Sequence, residues 1–109
     1  MSGTKKDLSA NTEYMSNGVA ISPAFPSIGD NVTVTYDGLL SKSGASAIQV
    51  HVGFGSVWDN QETYPMTRSS TGFVATISVK SADTLNLCFK DYEDHWDNNS
   101  GKNYSFDIY

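Results

Sequence analysis

From Val19 onward the chain alternates apolar and polar residues in short runs, each closed by Gly, Pro, Asn, Asp or Ser. That pattern predicts an all-β sandwich or barrel. Strands are expected over residues 19–22, 31–36, 47–54, 65–68, 72–79, 84–90 and 103–108, and no stretch carries a convincing helical period. In the second run Val32, Val34 and Tyr36 share one face and Asn31, Thr33 and Thr35 the other, as a sheet with one wet side requires. The same alternation turns Phe73, Ala75, Ile77 and Val79 inward, with Leu85, Leu87 and Phe89, and with Tyr104, Phe106 and Ile108. These residues are the expected core. Turns are expected at Gly29-Asp30, Asp37-Gly38, Ser70-Thr71-Gly72 and Asn99-Ser100-Gly101, where glycine and asparagine tolerate unusual backbone angles.

The third run has a further consequence. If Ile48, Val50, Val52 and Phe54 point inward, then Gln49, His51 and Gly53 point to the wet face. His51 is thereby offered to a ligand as a hydrogen-bonding group, and Gly53 and Gly55 leave room for close approach.

At 109 residues the chain fits one domain, able to bury roughly two thirds of its unfolded surface. Residues 1–17 are polar and aperiodic and read as a flexible leader or linker, leaving residues 18–109 as the domain. A net charge of −5 with only seven Lys and Arg argues against nucleic acid as partner. The single cysteine, Cys88, permits no intramolecular disulfide. No apolar run follows the two lysines near the start, so neither a signal peptide nor a membrane span is expected. The chain reads either as a stand-alone cytoplasmic protein or as a module of a longer secreted one, monomeric and without a cofactor.

Aromatics make up 12% of the chain, and both tryptophans lie in polar company. Trp58 follows the stretch His51-Val-Gly-Phe-Gly55, and Trp96 sits between His95 and Asp97-Asn98-Asn99. Such residues have little apolar surface to pack against, which favours binding over burial. Pyranose rings present patches of C–H groups bordered by hydroxyls. Trp58 and Trp96 suit the patches, while His51, Lys90, Asp97, Asn98 and Asn99 suit the hydroxyls. The competing account has a tryptophan plugging one end of the sandwich and a histidine merely solvated.

Three other chemistries are weaker. Asp91, Glu93, Asp94, Asp97, Asn98 and Asn99 supply oxygens for calcium, but their order does not match an EF-hand loop, so no metal site is expected. Glu93 and Asp97 form a carboxylate pair on paper, yet no nucleophile elbow, zinc-protease motif or phosphate loop accompanies them, so no enzyme activity is expected. Protein recognition through the exposed aromatics is the alternative function, although interface hot spots usually bring apolar neighbours that Trp96 lacks.

From Val32 to Ile108 the sequence resembles the starch-binding modules of carbohydrate-binding module family 25 and the closely similar family 53. The resemblance rests on Thr33-Val-Thr-Tyr-Asp-Gly-Leu-Leu40, His51-Val-Gly-Phe-Gly55 with Trp58, Met66 before Gly72-Phe73, Leu87-Cys-Phe-Lys-Asp91, Trp96-Asp-Asn-Asn99 and Asn103-Tyr-Ser-Phe-Asp-Ile108, in that order. It implies an immunoglobulin-like antiparallel β-sandwich that binds α-1,4-glucans without catalysis and targets an attached or partner amylase domain to polysaccharide. It also implies His51, Trp58 and Trp96 as the sugar site, with Asp97, Asn98 and Asn99 as hydrogen-bond partners. Family members often carry Trp near Gly72-Phe73 and Asn103-Tyr104, positions that read here as core.

Overall fold

The alternation that runs through residues 31–36 is realised as β3 (Asn31–Tyr36), whose burial switches residue by residue between inward valines and outward polar groups. The computed structural model describes the backbone of residues 13–15 and, in full, residues 18–70, 72–99 and 101–109. Their strands in chain order are β1 (Glu13–Met15), β2 (Val19–Ser22), β3, β4 (Gln49–Phe54), β5 (Asp59–Pro65), β6 (Thr67–Ser69), β7 (Gly72–Ser78), β8 (Leu85–Lys90), β9 (Trp96–Asp97) and β10 (Tyr104–Phe106), with a single helical turn, α1 (Leu39–Lys42), after β3.

Two antiparallel sheets face each other, one ordered β1-β2-β3-β7-β6 and the other β10-β8-β4-β5, with β9 also on β8. Cross-strand pairs aim the expected core inward: Val34 opposite Ala75 and Tyr36 opposite Phe73 in the first sheet, Val50 opposite Phe89 and Val52 opposite Leu87 in the second. Val32, Val34, Tyr36, Val50, Leu85, Leu87 and Phe89 are fully enclosed. Ala75 and Ile108 pack against this core from partly buried positions. The chain is an all-β sandwich.

Three features depart from the sequence reading, each for a physical reason. Residues 65–68 are not one strand. Pro65 closes β5, the Met66 amide bonds to the carbonyl of Ile48 at 2.9 Å while its side chain enters the core, and Thr67–Ser69 join the opposite sheet beside β7. The chain thus changes sheets at Met66. β5 itself is a polar edge strand, largely exposed and paired only with β4 among the described residues, so it shows no apolar period to recognise. Helix α1 is too short for a helical period. It forms because the Leu40 amide donates to the Tyr36 hydroxyl at 2.9 Å and Leu40 is buried, while Ser41 donates to Asp37. Within residues 1–17, β1 pairs with β2. Residues 1–12 and 16–17 of that segment, and Thr71 and Ser100 of two expected turns, lie outside the described residues.

Candidate functional site

The outer face of the β4–β8 sheet carries His51, and the ladder sets Thr63 directly opposite it on β5. Both ring nitrogens are engaged: Nδ1 lies 2.7 Å from the Thr63 hydroxyl and Nε2 lies 3.2 Å from Gln61 Oε1. A neutral ring protonated at Nε2 satisfies both contacts, donating to the amide oxygen and accepting from the hydroxyl. Gln61 and Thr63 had no signal in the sequence, because β5 had none. Once β5 is known to pair with β4, the register alone brings them to His51.

Beside this ring the register of β4 and β5 slips between Val52 and Phe54, forming a bulge. The turn that follows holds Trp58 in the left-handed region at φ 56°, and Asn60 at the start of β5 is there too, at φ 54°. That conformation is a genuine outlier for a residue as bulky as tryptophan, and such strain concentrates at functional sites. It is held by the Trp58 amide donating to Gly55 O at 3.2 Å and the Gly55 amide to Thr84 O at 2.8 Å. Buried Asn86 completes the anchor, donating to Gly55 O at 2.9 Å and accepting from Ser105.

The turn lays the Trp58 indole directly onto Gly53. A Cβ at Gly53 would stand 2.2 Å from Trp58 Cε3, so only glycine admits the ring. Gly53→Ala is therefore expected to expel Trp58 from this seat and from its contact with His51. A marked rise in acrylamide quenching of the intrinsic fluorescence would report it, whereas unchanged quenching would show that the indole does not rest there.

Trp96 approaches from β9, which pairs with the end of β8 so that Lys90 stands opposite Trp96. The Lys90 ammonium lies 5.1 Å from the Trp96 ring centroid. His51 stacks on Trp58 at 5.6 Å with 19° between planes, and meets Trp96 edge-on at 6.5 Å and 90°. The two indole planes therefore stand within 19° of perpendicular. Trp96, remote in sequence from His51 and Trp58, completes one cluster of rings with them, and it is 49% exposed.

Sequence comparison bears on this face. Residues 32–87 match the starch/carbohydrate-binding module (family 53). The chain belongs to that family. Its match includes His51 and Trp58 and ends before Trp96. An alpha-amylase of Clostridium acetobutylicum is 36% identical over 83 residues, covering 74% of this chain but 10% of the amylase, so the chain spans about a tenth of that relative. No solved structure gives a significant match.

Within this family 53 module the remaining expected site residues separate. Asn98 and Asn99 line a groove of about 780 Å³ with Trp96, Leu39 and Lys42, and neither His51 nor Trp58 reaches it. Asp97 also lines this groove, but its carboxylate turns inward. It is 5% exposed, and its two oxygens accept hydrogen bonds from the Tyr104 hydroxyl at 2.8 Å and the Tyr36 hydroxyl at 2.6 Å. Alternation along β9 explains this, since placing Trp96 outward turns Asp97 inward. Burial, then the bond to Asp97, pushes the Tyr36 hydroxyl far above its ordinary pKa, keeping it a neutral donor.

The acidic run before Trp96 is a tied loop. Asp91 Oδ1 accepts the backbone N–H groups of Glu93 and His95, at 2.8 and 2.9 Å, and Oδ2 meets His95 Nδ1 at 2.7 Å. Burial alone would raise the Asp91 pKa, but these bonds outweigh it and hold the carboxyl below its ordinary value. The bond to Asp91, then its charge, raises His95. Among the described residues no group of three or more His, Cys, Asp or Glu is placed to hold a metal ion. Cys88 lies buried on the ladder opposite His51. Burial, then the charge of Asp97, pushes its thiol up to about 11.

Proposed function

We propose that this module binds α-1,4-glucans on the Trp58–His51–Trp96 face, two sugar rings stacking on the indoles while His51 grips ring hydroxyls. The observation that carries this reading is the near-perpendicular setting of the indoles. An α-1,4-glucan curves, so successive rings turn, and angled platforms suit it. A β-1,4-glucan is flat and calls for coplanar platforms. His51 exchanges protein partners for sugar hydroxyls without burying an unpaired nitrogen, because Gln61 and Thr63 are exposed and remain free to meet water or the ligand. Asn98 and Asn99 act at the far side of Trp96, and Asp97 acts as a positioning residue behind it. Two stacked rings and a few hydrogen bonds, offset by association entropy, correspond to roughly −5 to −7 kcal/mol, or about 10 μM to a few hundred μM. The match to part of an alpha-amylase supports a role in holding an attached amylolytic domain to its polysaccharide.

Both tryptophans of the chain belong to the proposed site, so tryptophan emission, excited selectively over that of the six tyrosines, reports on it alone. Titration with maltoheptaose is expected to give a saturable spectral change and cellohexaose none. Silence with both would remove the reading and leave a protein partner as the hypothesis to pursue. His51→Ala is expected to weaken maltoheptaose binding by about 1–2 kcal/mol, one hydrogen bond's worth, with the fold intact. Unchanged affinity would place His51 outside the contact.

A further inference from the structure

A second cleft adjoins the groove of Asn98 and Asn99, sharing Trp96 and Leu39 with it. It measures about 600 Å³ and is bounded by the loop 91–95 on one side and residues 43–47 on the other, with Leu39 at its end. Trp96 is shared with the ring cluster, but His51 and Trp58 do not line this cleft. Tyr92, 61% exposed, stands in its wall.

A lone exposed tyrosine needs no explanation. Here three further facts give Tyr92 one. The facing wall, Ser43-Gly44-Ala45-Ser46-Ala47, has only small side chains and leaves the space unfilled. The loop carrying Tyr92 is held at both ends: the Asp91 amide donates to His95 O at 3.0 Å, the Asp91 carboxylate accepts two further backbone amides, and Lys90 lies 3.7 Å from Asp94. A ring presented from so tied a loop loses little further freedom when a ligand arrives. The rim is acidic, with Glu93 and Asp94 exposed, which disfavours anions and offers acceptors to the hydroxyls of a neutral ligand.

We propose that Tyr92 is a third sugar platform, and that a glucan too long for the Trp58–Trp96 pair continues past Trp96 into this cleft. The proposal rests on the α-glucan reading above and adds to it a subsite that makes the module sensitive to chain length. The groove holding Asn98 and Asn99 is the other exit from Trp96, but among its lining residues Trp96 is the one exposed aromatic.

The test compares maltotriose with maltoheptaose by titration calorimetry on the wild type, Tyr92→Ala, Tyr92→Phe and Asn98→Ala. Tyr92→Ala is expected to lose maltoheptaose affinity about tenfold, which is about 1.4 kcal/mol, while binding maltotriose within about twofold of wild type. Tyr92→Phe should retain the preference for the longer chain, since it keeps the ring. Wild-type maltoheptaose affinity in Tyr92→Ala would overturn the proposal, as would loss of the chain-length preference in Asn98→Ala instead. A wild type that binds neither sugar would defeat the α-glucan reading itself, and the subsite with it.

Discussion

Trp58→Ala and Trp96→Ala are each expected to abolish most of the module's affinity for maltoheptaose while leaving its β-sheet circular dichroism unchanged. Truncating a residue that anchors a small interface typically costs about 2 kcal/mol or more, some thirtyfold, which would carry binding of the expected strength beyond easy measurement. The fold should survive for different reasons at the two positions. Trp96 is half exposed on a two-residue strand, outside the enclosed core. Trp58 occupies a strained left-handed turn and lies over Gly53, on the outer face of the sheet and away from the residues between the sheets. Removing its indole deletes contacts with Gly53 and His51 without opening a cavity in the core. If either variant unfolds, the residue is a plug at the end of the sandwich and the platform reading fails for it. Retained affinity in both would move the site elsewhere.

Asp97→Ala should act in the opposite manner, on stability first and on binding as a consequence. The Asp97 carboxylate joins three elements, accepting from Tyr36 on β3 and Tyr104 on β10 while sitting on β9. The Tyr36 hydroxyl also accepts the Leu40 amide in the first turn of α1, and its ring stacks on Phe89 at 4.1 Å. Alanine leaves two buried phenols without their acceptor, at a cost of about 1–3 kcal/mol each. The sum, about 2–6 kcal/mol, corresponds to a fall in Tm of roughly 10–30 °C in a domain of this size. Asp97→Asn keeps one acceptor oxygen and should lose less. Denaturant titration of the three proteins checks the order wild type, Asn, Ala. Wild-type stability in the alanine variant would mean that the buried tyrosines find other partners, and that Asp97 does not hold Trp96 in place.

How far the site was legible in the chain follows from which contacts are local. His51 was legible because strand alternation is a local rule: with Val50 and Val52 inward, His51 faces out. Trp58 and Trp96 stood out by their polar neighbours. The burial of Asp97 was not legible, since Asn98 and Asn99 give it the look of a solvated loop, whereas pairing of β9 with β8 turns its side chain inward. Gln61 and Thr63 were invisible. Their strand has an exposed outer face and little apolar content, and it is a strand because β4 lies beside it.

By itself, then, the sequence determined the sandwich, most of its core and the three aromatic rings of the candidate site, because period-two burial and unusual local surroundings are written residue by residue. The tertiary structure decided what those rings form together. Their near-perpendicular setting depends on a bulge, a left-handed tryptophan over a glycine and a two-residue strand pinned by a buried carboxylate. The first two are turn geometry that the alternation does not encode, and the carboxylate of Asp97 meets Tyr36 across 61 positions of the chain, a contact that leaves no periodic trace in the order of amino acids.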